Sequence, residues 1–137
     1  MKVYKIVRQA NGKLWSAWAP YAGAVEYIPG RWATPRRDNG PLTAYKDFDE
    51  AMFQITQLLP PWFDYCIFEA EAEPWDQKLP RNPGGVIYAW VWDRGVRYES
   101  CLTPFSSRSL ALCRRIKLLR CLWDTKINLQ WATAVNG

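Results

Sequence analysis

Between Asp47 and Pro60-Pro61 the chain carries, in order, a helix start signal, a helical period and a helix stop. Asp47 stands where an N-cap belongs, and Glu50 follows three residues later in capping-box position. Phe48, Ala51, Met52, Ile55 and Leu58/Leu59 recur at helical spacing, and the two prolines end the segment. Directly after it, Trp62 to Glu73 alternates as a strand does. Cys66, Phe68, Ala70 and Ala72 fall on one face, and Tyr65, Ile67, Glu69, Glu71 and Glu73 fall on the other. A one-sided helix joined to a strand by so short a connection must fold back over a sheet. The alternation predicts that Asp47 to Leu59 covers the small-residue face of Phe68, Ala70 and Ala72, with Asp49 and Gln57 turned to solvent.

The other segments are mostly strands. Val3 to Val7 is β-rich, Asn11-Gly12 is a hairpin turn, and Leu14 to Ala19 reads as the returning strand. Pro20 to Gly40 is irregular, with Val25 to Ile28 a short strand within it. Val86 to Trp92 and Val96 to Leu102 flank Asp93-Arg94-Gly95 and predict a second hairpin. Ile127, Leu129 and Trp131 alternate as a last edge strand would. Residues 107–123 admit two readings: Leu112, Ile116, Leu119 and Trp123 share a helical face, whereas Ile116, Leu118 and Leu122 would share a strand face interrupted by Arg120, and periodicity favours the helix. No repeat or Ser/Gly linker divides the 137 residues. The expected architecture is one α+β domain over 1–137, a mostly antiparallel twisted sheet with one or two helices packed on one face.

Composition then limits the chemistry. The chain has no histidine, which removes Ser-His-Asp and Cys-His catalysis and histidine metal sites. The cysteines, Cys66, Cys101, Cys113 and Cys121, form no CxxC pair and read as buried free thiols, a disulfide staying open. No P-loop or dinucleotide fingerprint is present, and Gly84-Gly85 is a turn. Nothing therefore calls for a metal or a cofactor. The longest uncharged stretch, Ala51 to Phe63, is too short for a membrane span and contains Pro60 and Pro61. The first residues lack the apolar core of a secretory signal, so the expected location is the cytoplasm, inside a host cell.

Several segments taken in order resemble a group of small uncharacterised proteins of bacteriophages, archaeal viruses and mobile elements. They are Val3-Tyr4-Lys5-Ile6-Val7 with Gly12-Lys13-Leu14 and Ser16, then Glu26-Tyr27-x-x-Gly30-x-Trp32. Gly40-Pro41-Leu42, Phe48-Asp49-Glu50-Ala51, Ile67-Phe68-Glu69-Ala70-Glu71 and Arg115-Ile116-Lys117-Leu118-Leu119 follow. The resemblance covers most of 2–73 and about 108–122. It implies such an origin and an α+β fold, with a strand in place of the periodicity's helix near 115–122. It brings no activity and no site residues.

Charge is segregated along this basic chain. Residues 1–46 carry a net +6, 47–76 a net −8, and 94–137 a net +6. Arg108, Arg114, Arg115, Lys117 and Arg120 make the densest basic cluster. Interleaved with Trp90, Trp92, Tyr98 and Trp123, they could grip phosphates and stack bases. Equally, they could answer the acidic block. Glu69, Glu71 and Glu73 make a carboxylate row that needs water, a cation or basic neighbours. Arg8, Thr43 and Glu69-Ala70-Glu71 also stand in the order that ADP-ribosyltransferases use, although the usual Ser-Thr-Ser and the alternative His are missing. That resemblance implies an NAD-using transferase, with Glu71 stabilising an oxocarbenium-like transition state and Arg8 holding the diphosphate.

Nine Trp, seven Tyr and five Phe are more rings than a core of this size buries. The first expectation is therefore a non-enzymatic binding protein acting on a host or viral protein, an inhibitor of host defence for example, with self-association as one form of that binding. Its expected contact residues are Trp90, Trp92, Arg94, Tyr98, Arg114, Arg115, Lys117 and Arg120. The alternatives are a nucleic-acid-binding accessory protein using 108–120, and the transferase of Arg8, Thr43, Glu69 and Glu71.

Overall fold

The computed structural model describes residues 1–17, 25–35, 41–59, 61–76 and 110–125. Over these residues the protein is a single small domain, an antiparallel twisted sheet with one helix packed on a face. The expected second hairpin within 86–102, the edge strand at 127–131 and Cys101 lie outside the described residues.

Strand β1 (Lys2–Ala10) turns at Asn11-Gly12 into β2 (Lys13–Ser16). Asn11 and Gly12 have φ of 55° and 74°, the pair of positive angles that a two-residue hairpin with matching twist requires. The two-residue strands β3 (Glu26–Tyr27) and β4 (Trp32–Ala33) follow, then β5 (Leu42–Tyr45). The first of the two falls inside the expected 25–28 strand, and the second lies in a segment expected to be irregular. The long strands β6 (Asp64–Pro74) and β7 (Leu110–Asp124) complete the sheet.

The ladders return on themselves. Strand β1 pairs along its length with β6, and β6 pairs with β7. In turn β7 pairs with β5, and β5 meets β1 at Tyr4↔Tyr45. The sheet is thereby closed, and one face becomes an interior. Val3, Val7, Leu14, Tyr27, Leu42, Ala44, Cys66, Phe68, Ala70, Ala72, Cys113, Ile116, Leu118 and Cys121 fill it. Lys5 points inward with Val3 and Val7 and is 1% exposed. Its ammonium donates to the Thr43 carbonyl at 2.6 Å and lies 5.2 Å from the Tyr27 ring centroid, which satisfies a charge that burial would otherwise penalise.

Two expectations need correction. The helix over 47–59 forms, but it covers the other face of the sheet. It runs as α1 (Phe48–Phe53) and continues as a π-helical turn over Gln54–Leu58, closed by Leu59 N donating to Gln54 O at 2.8 Å. Asp47 caps it by accepting from Asp49 N at 2.9 Å, while Glu50 accepts from Gln54 Nε2 rather than reaching back to the cap. Ala51 and Leu59 pack with Ile6, Tyr45, Tyr65 and Ile67, joined by Tyr4, Phe48, Met52, Ile55 and Trp123. Asp49 and Gln57 are exposed, as expected. Closure is the reason for the change of face. Ala70 and Ala72 are buried because strands surround them, so the helix settles on the apolar half of the outer face.

The second correction concerns the helix favoured for 107–123, whose described part belongs to strand β7 (Leu110–Asp124). Its ladder with β6 shifts register three times. Phe68 faces Cys121 where Ile67 faces Trp123, Ala70 faces Leu118 where Glu69 faces Arg120, and Pro74 faces Cys113 where Glu73 faces Arg115. Leu122, Leu119 and Arg114 are the extra residues. Each bulge stretches the inward spacing from two to three, giving Cys113, Ile116, Leu118, Cys121 and Asp124. Steps of three and two imitate a helical period. The same bulges bend β6 and β7 enough to close a sheet of so few strands.

Candidate functional site

On the outer face, even-numbered residues of β1 stand beside odd-numbered residues of β6. Lys2 pairs with Glu71, Tyr4 with Glu69, Ile6 with Ile67, and Arg8 with Tyr65. This face has three parts. The middle is covered by α1, with the Phe48 ring edge-on to Tyr4 at 5.9 Å. The Glu end and the Arg8 end flank it.

At the Glu end the carboxylate row is matched by bases from neighbouring strands. Glu69 takes Lys2 Nζ at 3.0 Å on one oxygen and Arg120 Nε at 2.6 Å on the other. Glu73 takes Arg114 and Arg115, one on each oxygen. Glu71 binds the amino group of Met1 at 2.7 Å and stands opposite Lys117 in the ladder. Hydrogen bonds from Lys2 and Arg120 hold the Glu69 carboxyl below its ordinary range, and those from Arg115 and Arg114 hold Glu73 down to about 2. Trp32 lies beneath two of the cations, 4.0 Å from Arg115 Cζ and 4.8 Å from Lys117 Nζ. Of the basic residues expected to contact a partner, Arg114, Arg115 and Arg120 are thus engaged by carboxylates and Lys117 by an indole. Trp90, Trp92, Arg94 and Tyr98 lie outside the described residues.

The transferase set is not gathered. Arg8 and Glu71 share the outer face but stand six positions apart along the ladder, about 20 Å, with the α1-covered rows between them. Thr43 is 2% exposed and its carbonyl is occupied by Lys5. These residues do not line one cleft.

The Arg8 end is different. Trp15 of β2 and Tyr65 of β6 flank Arg8 in register. Just before β6, Trp62 and Phe63 project from the connection that leaves the helix, their rings 6.1 Å apart and tilted by 54°. The Arg8 guanidinium sits 4.9 Å from the Phe63 ring centroid, and its Nε is buried with no hydrogen-bond acceptor among the described residues. Burial pushes the Tyr65 hydroxyl up to about 12 against the pull of Arg8, so it stays a neutral phenol at neutral pH. Trp62 is 76% exposed and Phe63 37%. Sequence reasoning absorbed both rings into the strand. The signal that could have singled them out was two large rings directly behind two prolines, ahead of the first inward residue. Such an arrangement offers apolar contact area rimmed by a cation.

Among the described residues no cluster of His, Cys, Asp or Glu could hold a metal ion, and no helix is long and apolar enough to cross a membrane. No family model, no curated protein and no solved structure matches this chain.

Proposed function

We propose that this chain is a non-enzymatic binding protein of viral or mobile-element origin, and that it docks a protein partner on the Trp62–Phe63–Arg8 end of its sheet. The observation that carries the reading is an indole left 76% exposed beside a ring stacked by an arginine. Trp and Arg dominate the energetics of protein interfaces because they bring large contact area and directional donors together. A fitting partner presents an apolar hollow for Trp62 and acidic groups at its rim to answer the Arg8 cation. The basic cluster of β7 favours a phosphate backbone less, since three of its four cations are already held by carboxylates. The resemblance of the segments over 2–73 and 108–122 supports the origin.

The test is affinity capture from host lysate, run beside sedimentation of the purified protein. Wild type and a Gln57→Ala control should retain the same partner, or the same self-associated state, and Trp62→Ala with Phe63→Ala should lose it. A monomer that captures nothing, or a capture indifferent to both rings, overturns the reading.

A further inference from the structure

The Arg8 end is one half of a longer pattern on the outer face. Helix α1 starts with Phe48 against Tyr4, and the chain that leaves it enters β6 beside Gln9, so it runs along β1 from the Tyr4 row towards the Arg8 row. From Phe48 to Phe53 the helix rises about 7.5 Å, and from Tyr4 to Arg8 the strand advances about 13 Å. Phe53 therefore stands roughly midway along this line. Phe48, Ala51, Met52 and Ile55 are turned to the sheet, which leaves Phe53 45% exposed and Asp49, one turn before it, exposed as well. The chemistry changes in order along the line. Acids come first, with Asp47 and Asp49 exposed, Glu50 half-buried and Lys46 beside them. The Phe53 ring follows. Last come Phe63 and Trp62 with the Arg8 cation, where the exposed Lys13 shares the face with a half-buried Glu26. Neither Arg8 nor Asp49 forms an ion pair among the described residues. Phe53, Trp62 and Phe63 are three of the six large apolar side chains that the described residues leave exposed, and they lie on this one side.

A line that reads acid, ring, cation in one direction reads cation, ring, acid after a half turn. Two copies related by a two-fold axis at Phe53 therefore complement each other at both ends at once, as an isologous interface requires. We propose that the partner docked on the Arg8 end is a second copy of this chain, in a two-fold dimer whose α1 helices lie antiparallel; this rests on the docking of a protein at that end and names the protein. The two Phe53 rings meet at the axis, with Trp62 and Phe63 of each copy flanking them. Arg8 and Lys13 of each copy face the Asp47–Glu50 end of the other. The rings supply the contact area that holds the dimer. The charges sit at its rim, where they fix the antiparallel orientation and oppose a parallel one, which would set acids against acids.

The test is sedimentation velocity of the full chain over a wide concentration range, with circular dichroism to check that each variant is folded. Wild type should pass from monomer to dimer as concentration rises, and added salt should move that midpoint upward, because the charge contacts are at the rim. Phe53→Ala should weaken the dimer about tenfold or more. Arg8→Glu and Asp49→Arg should each sediment as monomers, since like charges then face each other at both ends. Mixed in equal amounts they should form a dimer again: the glutamate at position 8 of one meets the arginine at position 49 of the other, and the native pair is intact at the opposite end. Should Arg8→Glu fail to fold, Phe53→Asp decides alone, being exposed in the monomer and doubled at the axis of the dimer, and it should be monomeric. A wild type that is monomeric at every concentration overturns the dimer, and Trp62-dependent capture of another protein beside that result leaves the docking reading standing without it. A dimer lost with Trp62→Ala but indifferent to Phe53 and to the charge reversals keeps the patch and overturns the two-fold arrangement. A dimer indifferent to Trp62 as well overturns both.

Discussion

Leu118 and Leu119 are neighbours in sequence and opposites in the fold, which makes alanine at each a sharp test of the bulged strand. Leu118 is completely buried, facing Ala70 across the closed interior, whereas Leu119 is the extra residue of a bulge and is 52% exposed. Truncating a buried leucine costs about 2–5 kcal/mol, through lost transfer free energy and the cavity left behind. Hydrogen-bonded strands surround Leu118 and resist collapse, so Leu118→Ala belongs in the upper part of that range, about 3–5 kcal/mol. Leu119 loses only the covered half of its side chain, under about 1 kcal/mol. The gap of at least about 2 kcal/mol is roughly a thirtyfold difference in the folding equilibrium. Urea unfolding followed by far-ultraviolet circular dichroism, with unchanged m-values, measures both. A helix over the same residues would bury Leu112, Ile116, Leu119 and Trp123, making Leu119 the costly position. Equal or reversed costs refute the strand and its bulges.

Three further outcomes follow from the same packing and electrostatics. Ala70→Trp forces an indole between Val3 and Leu118 and should destabilise by about 1–3 kcal/mol or more, read as a lower urea midpoint. Asp47→Ala removes the acceptor for Asp49 N and should cost about 1 kcal/mol, with reduced helical signal and little change elsewhere. Because the folded pKa of Glu73 is depressed to about 2 from an ordinary 4.5, its ion pairs stabilise the fold above pH 4.5 and are lost as pH falls towards 2. Glu73→Gln should therefore lie below wild type at neutral pH and converge with it in acid, and a gap that widens in acid would contradict the assignment.

What the sequence disclosed was local, and what it hid was a consequence of closure. The Asn11-Gly12 turn, the Asp47 cap and the two faces of 64–74 each rest on a few consecutive residues, and each appears in the structure. The destination of the helix was not legible, because Ala70 and Ala72 look like a helix seat until β5 brings β1 and β7 together. Strand β7 was misread because Arg114, Leu119 and Leu122 each put the inward pattern out of step by one. Part of the site was visible in the segregated charge, where the basic 114–120 segment answers Glu69 and Glu73. The Arg8 patch was not visible, since Trp15, Arg8, Phe63 and Trp62 meet only through pairing of β1 with β2 and β6.

The central claim is that partner binding lies at the Arg8 end of the outer face and not at its ion-paired end. It is tested most directly by titrating the captured partner, and single- and double-stranded nucleic acid probes, against wild type, Trp62→Ala and Arg120→Ala. Trp62→Ala should weaken the protein partner about thirtyfold, as removal of a central aromatic anchor worth about 2 kcal/mol does, and Arg120→Ala should leave it within threefold. Tight, salt-sensitive binding of a nucleic acid probe that is lost with Arg120→Ala and kept with Trp62→Ala would place the site on the other end of the sheet and contradict the account.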